Sequence, residues 1–180
     1  MKLINGTFND YKVLASYHYL DRPYYITSVY SLVKDNIIIG VLVAGLPYPN
    51  CRARDKRINK MNITSIKRIV ILPKYRHNGY ATLMLKEFLK VAKTKYVEII
   101  AKEQLEPLFK NAGFKTKRYI NYKNEKKVYA ISSRQNDACS RQNGIFREVL
   151  RVYDENEPVE FGATYSEAYP DDCGLDIYGD

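Results

Sequence analysis

The chain has 180 residues, 46% of them hydrophobic and 27% charged, with a formal net charge of +9. That length suits one domain with a real core. No apolar run approaches the ~20 residues that span a bilayer, and the start, MKLINGTFND, lacks the apolar core of a signal peptide. The three cysteines, Cys51, Cys139 and Cys173, have neither zinc spacing nor a disulfide framework and predict a reducing, cytoplasmic setting. The charge is uneven: residues 1–134 carry 26 Lys and Arg against 9 Asp and Glu, and residues 135–180 carry 3 against 11. A basic body predicts an anionic partner, either nucleic acid or the phosphates of a cofactor, with solubilising lysine as the plain alternative.

In chain order, Asn9 or Asp10 is placed to cap a short helix carrying Tyr11, Val13, Leu14 and Tyr17, and Pro23 ends any continuation. Tyr24 to Val33 has strand character, Asp35-Asn36 reads as a hairpin turn, and Ile37 to Leu46 is a continuously apolar, central strand. Gly40 and Gly45 inside it predict a bulge or the close approach of another group. Pro47 to Asn62 is a loop carrying Arg52, Arg54, Lys56, Arg57 and Lys60. Next, Ile66 to Leu72 reads as a buried strand ended by Pro73. From Tyr80 to Ala92 apolar residues recur at helical spacing. Between strand and helix lies Arg76-His77-Asn78-Gly79-Tyr80-Ala81. A tight turn opening a helix leaves several N–H groups aimed at one spot, with the positive end of the helix dipole behind them, so that spot suits phosphate.

Further on, Tyr96 to Ala101 reads as a strand and Gln104 to Ala112 as a short helix stopped by Gly113. Arg118 to Tyr122 and Val128 to Ser132 alternate like a hairpin turning at Lys123-Asn124-Glu125-Lys126. Residues 134–143 are polar and linker-like. Ile145, Phe146, Val149, Leu150 and Tyr153 fall at helical spacing, and an acidic tail follows from Asp154. The organisation predicted is a body of residues 1–134 with an appendage of residues 135–180, whose acidic tail is placed to fold back on the basic body.

Arg76-x-x-Gly79-x-Ala81 between a strand and a helix resembles the Arg/Gln-x-x-Gly-x-Gly/Ala signature of the GNAT superfamily, the Gcn5-related N-acetyltransferases. Leu108-Phe109-Lys110-Asn111-Ala112-Gly113-Phe114 is similar to that family's second recurring motif, and the likeness spans roughly Ser28 to Ser132. The resemblance implies an α+β fold: a mixed, mostly antiparallel twisted sheet flanked by helices, here with an acidic C-terminal extension. It also implies acetyl-CoA as a small-molecule acyl donor. The pyrophosphate would sit on Arg76, His77, Asn78, Gly79, Tyr80 and Ala81. The pantetheine arm would run along the strand edge at Ile69 and Ile71, and an N–H near Ile71 would face the oxyanion. The family's frequent tyrosine acid falls on Phe109, which has no proton to give, so either another group such as Tyr119 or Tyr80 serves, or the thiolate departs without help, or the chemistry is not ordinary acetylation.

His18-Tyr19, Pro47, Arg52 and Arg68 resemble a GNAT branch that includes Mom-type phage DNA-modification proteins. That likeness implies catalytic roles for His18 and Tyr19, an acceptor side formed by Arg52, Arg54 and Arg68, and a DNA base as a possible acceptor. In that branch a His/Tyr/Asp cluster has been proposed to hold a metal; Asp21 or Asp55 would complete it here, but the residues assign no metal ligand. Three readings follow: an acetyltransferase acting on an amine, a DNA-modifying enzyme, and a catalytically silent nucleic-acid binder.

Overall fold

The computed structural model describes residues 1–18, 25–49 and 51–133. Ten regular elements follow one another: β1 (Lys2–Gly6), α1 (Phe8–Ala15), β2 (Ile26–Lys34), β3 (Ile37–Gly45), β4 (Ile63–Ile71), α2 (Tyr80–Val91), β5 (Tyr96–Lys102), α3 (Glu106–Asn111), β6 (Lys115–Ile120) and β7 (Lys126–Ser133). The strands form one sheet in the order β1-β2-β3-β4-β5-β7-β6. Every neighbouring pair is antiparallel except β4 and β5, which are joined through α2 and run parallel. This is the α+β architecture expected. The predicted helix over Ile145 to Tyr153, the acidic tail, Tyr19 and Asp21 lie outside the described residues.

Two layers cover the sheet. On one face, Ala81, Met84, Leu85 and Phe88 of α2 and Leu108 and Phe109 of α3 close over Leu42, Ile66, Ile69, Val97 and Ile99. Burying each large side chain is worth about 1.5–3 kcal/mol. On the other face α1 lays Tyr11 and Leu14 on Val29, Val41, Val43 and Val70. Beside it the basic loop sets Ala53 and Ile58 against Ile63, Tyr96, Ile100, Tyr129 and Ile131. The helix pair therefore owns one face, while α1 and a long loop share the other.

Local chemistry explains the boundaries. The cap of α1 is Thr7, not Asn9 or Asp10: the Thr7 hydroxyl accepts from the Asp10 N–H at 3.3 Å, and the Asp10 carboxylate accepts from the Thr7 N–H at 2.7 Å. A reciprocal pair satisfies two orphan donors where a single cap satisfies one. β1 went unforeseen because five residues with two polar ones among them carry no readable period. Asp35 and Asn36 both take left-handed angles, φ 50° and 62°, as a two-residue hairpin turn demands. Both β3 glycines answer to close approach: a Cβ on Gly40 would lie 2.5 Å from Ile71 Cδ1, and one on Gly45 2.0 Å from the Tyr25 carbonyl oxygen. After α3, the Phe114 N–H donates to the Phe109 carbonyl and the Gly113 N–H to that of Lys110, both at 3.0 Å, closing the helix at Gly113 (φ 91°).

Candidate active site

The strand β4 keeps β3 on one side along most of its length but has β5 on the other side along only part of it. Its first half pairs with β5 from Ile63↔Tyr96 to Ile66↔Ile99, and there the pairing stops. Its pairing with β3 continues from Ser65↔Gly45 to Ile71↔Gly40, while β5 stays paired with β7 along its whole length, from Tyr96↔Ser133 to Lys102↔Lys127. The sheet therefore splays beyond Ile66. The Leu72 N–H donates to the Ile39 carbonyl at 2.9 Å, so Leu72 faces β3. Strand alternation then turns the backbone groups of Ile71 and Ile69 to the splayed side. In agreement, the Ile71 carbonyl accepts from Arg76 Nε at 3.1 Å.

At the open end of the splay, β4 passes through a short turn, Pro73–Tyr75, into the loop before α2. His77 (φ 60°) and Gly79 (φ 71°) are both left-handed, and Gly79 is the N-cap. The first bond closing the helix runs from Leu83 N–H to the Gly79 carbonyl at 3.0 Å. The N–H groups of Tyr80, Ala81 and Thr82 therefore have no partner inside the helix. The Asn78 side-chain amide donates to the Arg76 carbonyl at 2.7 Å. His77, Asn78 and Gly79 are exposed, and a Cβ on Gly79 would meet nothing within 4 Å. Tyr80 Oη takes a hydrogen bond from Lys34 Nζ at 3.0 Å, which raises the Lys34 pKa. The loop expected to hold a diphosphate is thus uncovered by the described residues and adjoins the free strand edge.

The face opposite α2 carries the charges. β4 contains a bulge: Val43 pairs with Arg68 and Ala44 with Ile66, so Lys67 is skipped. Ile66 and Ile69 both enter the core beneath α2. Lys67 and Arg68 between them therefore both turn to the opposite face. Lys67 Nζ stands 3.3 Å from the centroid of the Tyr48 ring. Arg68 donates to the Lys67 carbonyl at 2.6 Å and to Tyr11 of α1. Burial raises the Tyr11 pKa, with Arg68 pulling the other way. Lys67 went unremarked in the sequence. Its signal was a Lys-Arg pair inside an apolar run, since strict alternation would have buried one of the two cations beneath α2.

Arg54 corrects an expectation. Its guanidinium forms a bidentate pair with Glu98 of β5, at 2.7 and 2.6 Å, with side-chain exposures of 4% and 0%. Ser65 (2.6 Å) and Tyr129 (3.1 Å) donate to the same carboxylate. Burial works against the charge on Arg54, but Glu98 holds it protonated and its pKa is raised. Arg54 is therefore a clamp that ties the loop to the sheet, not a group turned to an acceptor. Arg52, by contrast, is exposed on that loop. Asp55 is engaged by Arg57, whose hydrogen bonds hold its carboxyl below the usual range. Among the described residues no three of His, Cys, Asp and Glu stand close enough to hold a metal ion.

Two further expectations are placed. His18 is buried in the turn that follows α1, its N–H bonded to the Ala15 carbonyl at 3.0 Å. Tyr119 lies on β6 opposite Lys127, whose partner in turn is Lys102. It is thus two strands, roughly 10 Å, outside β5, packed against the cluster beneath the loop; the structure does not bring it to the splay. A separate cleft of about 560 Å³, lined by Lys102, Glu103, Glu106, Arg118 and the turn end of the β6–β7 hairpin, lies across β5 from the splay. Its charges are partly spent on one another, Arg118 reaching Glu106 at 2.5 Å and Glu103 at 3.3 Å.

Residues 4–114, well over half of the chain, match the Acetyltransferase (GNAT) family. The chain belongs to the GNAT family of acetyltransferases. The fold is shared with AAC(6')-Ib solved with paromomycin and acetyl-CoA, at 11% identity and TM-score 0.57, over 79% of this chain and 98% of that one. A chimera of the spermidine N-acetyltransferase SpeG from Vibrio cholerae and hSSAT matches at 10% identity and TM-score 0.55, covering 74% and 97%. A ribosomal-protein alanine N-acetyltransferase from Escherichia coli matches at 9% and 0.51, covering 75% and 94%. No curated protein sequence matches. The acyl donor of the GNAT family is acetyl-CoA. Where many GNAT members carry a tyrosine in the second motif, Phe109 here is fully buried, 6.3 Å from the Phe114 ring, and serves packing.

Proposed function

We propose that the protein transfers the acetyl group of acetyl-CoA to an amine by direct attack. The observation that carries this reading is the loss of β5 pairing after Ile66↔Ile99, beside an uncovered loop at the head of α2. The diphosphate takes the N–H groups of residues 77–82, with Arg76 and Lys74 supplying positive charge. The pantetheine amides take the backbone groups of Ile69 and Ile71, as an added strand would. The thioester carbonyl then lies in the splay, where an N–H of β4 stabilises the oxyanion. The acceptor enters from the opposite face, between α1 and the loop bearing Tyr48 and Arg52, past Arg68.

The amine nitrogen attacks the thioester carbon, its proton passes to a base, the C–N bond forms, the C–S bond breaks and CoA leaves as thiolate. His18, with Tyr19, is the base assigned. Because Phe109 offers no proton, the thiolate departs without help from that position. Titration calorimetry with acetyl-CoA, followed by release of CoA thiol in the presence of small amines, tests the reading. Tight binding and amine-dependent thiol release are expected. Failure to bind acetyl-CoA at millimolar concentration would sink it.

A further inference from the structure

We propose that Lys67 and Arg68 recognise a carboxylate or phosphate carried by the acceptor close to its reacting amine. The inference rests on the acetyltransferase reading for the identity of the acceptor, and on the β4 bulge for the site. The bulge sets two consecutive cations on one face of the sheet. It does so at the apex of the splay: Ile66 is the last residue of β4 paired to β5, and Lys67 is the next. An acceptor delivering an amine to a thioester held in the splay brings its adjoining atoms against this pair.

The surroundings fit an anion. Lys67 and Arg68 are 2% and 4% exposed, so their field acts in a low-dielectric site where a charge pair is worth more than at the surface. Their neighbours include the Tyr48 ring, the Tyr11 hydroxyl and the Lys67 carbonyl. Tyr48 sits on the loop that covers this face, so a turn of its ring opens the way to the ammonium. Exposed Arg52, Lys56 and Lys60 on the same loop steer an anion inward. The same two cations repel polycationic amines. AAC(6')-Ib, solved with paromomycin, and the spermidine N-acetyltransferase share the fold; this site calls for acceptors of opposite charge.

The test pairs each anionic acceptor with its uncharged counterpart at saturating acetyl-CoA: O-phosphoethanolamine with ethanolamine, glucosamine 6-phosphate with glucosamine, glycine with methylamine. Spermidine and duplex DNA complete the panel. At least a tenfold higher kcat/KM is expected for one anionic class, the class telling phosphate from carboxylate. Lys67→Met and Arg68→Met should bring the ratio to within threefold through KM, and Arg68→Lys should retain it. Independently of turnover, inorganic phosphate is titrated into protein saturated with CoA, which occupies the loop before α2. Binding at least tenfold weaker in Lys67→Met is expected.

Equal or better use of uncharged amines or spermidine overturns the proposal. So does acetylation of DNA in place of every small amine, or phosphate binding that neither variant changes. Should a methionine variant fail to fold, the wild-type panel decides alone. Acetyl-CoA binding is measured first. Its absence sinks the acetyltransferase reading, leaving the phosphate titration, without CoA, to decide the bulge site; binding without an anion preference sinks the bulge site only.

Discussion

At Gly79 the loop before α2 turns on a missing side chain. Its φ of 71° costs an L residue about 1–2 kcal/mol, and a Cβ there would point into open space. Gly79→Glu should therefore lower Tm by only a few degrees, yet raise the acetyl-CoA Kd at least a hundredfold by placing a carboxylate where the diphosphate sits; calorimetry reads both. His18→Ala should lower kcat about 10²–10⁴-fold with the acetyl-CoA Kd unchanged; a fall in Tm with kcat per folded molecule intact would make His18 a packing residue. Cys51 is held as a thiol, its pKa pushed up to about 12 by burial and by the nearby Glu98 charge. A group raised in this way favours folding below its unfolded pKa, and that contribution is lost as pH rises through the folded value. Cys51 should accordingly react with a disulfide reagent at pH 8 at least a hundredfold more slowly than in urea, measured in a chain with Cys139 and Cys173 changed to serine.

The elements around the site are fastened by charge as much as by apolar contact. The basic loop has few apolar anchors, Ala53 and Ile58 among them, and the Arg54–Glu98 clamp replaces what a helix would supply. Removing one partner of a buried pair costs about 3–5 kcal/mol because the other is stranded. Arg54→Met should lose that much in urea unfolding while the acceptor KM per folded molecule stays unchanged; a raised KM would return Arg54 to the acceptor. On α3, burial pushes the Glu106 carboxyl up, but hydrogen bonds from Thr116, Arg118 and Lys110 bring it below the usual range. A depressed carboxylate contributes stability above its unfolded pKa and loses it as pH falls through the folded one. Acid should therefore loosen the α3–β6 contact, and Glu106→Gln should flatten stability between about pH 5 and 3.

For the molecule as a whole, the splay is a cost carried in the apo state. A strand edge with unpaired backbone groups is a liability in any sheet, and a cofactor that pairs with it removes that liability. Acetyl-CoA at a hundredfold its Kd should stabilise the fold by about 2.7 kcal/mol, or roughly 5–11 °C in Tm at this size. Differential scanning fluorimetry reads the shift, and Gly79→Glu should abolish it. Among the described residues no helix is long and apolar enough to cross a membrane.

Local chemistry determined a great deal without any partner in view. Asp35-Asn36, Gly79 and Gly113 announced their turns because a left-handed backbone selects those residues wherever it occurs. The period of Leu85 and Phe88 announced a helix, and the Arg76-to-Ala81 run announced an anion loop, because capping and dipole act within one turn of chain. Three matters belonged to the tertiary structure. Arg54 read as a ligand until Glu98, 44 residues away, claimed it. Lys67 and Arg68 shared no face until pairing with β3 forced a bulge. The splay itself arises where β5, held by β7 along its whole length, parts from β4, and which pairing gives way is settled by all seven strands together, not by the residues along one of them.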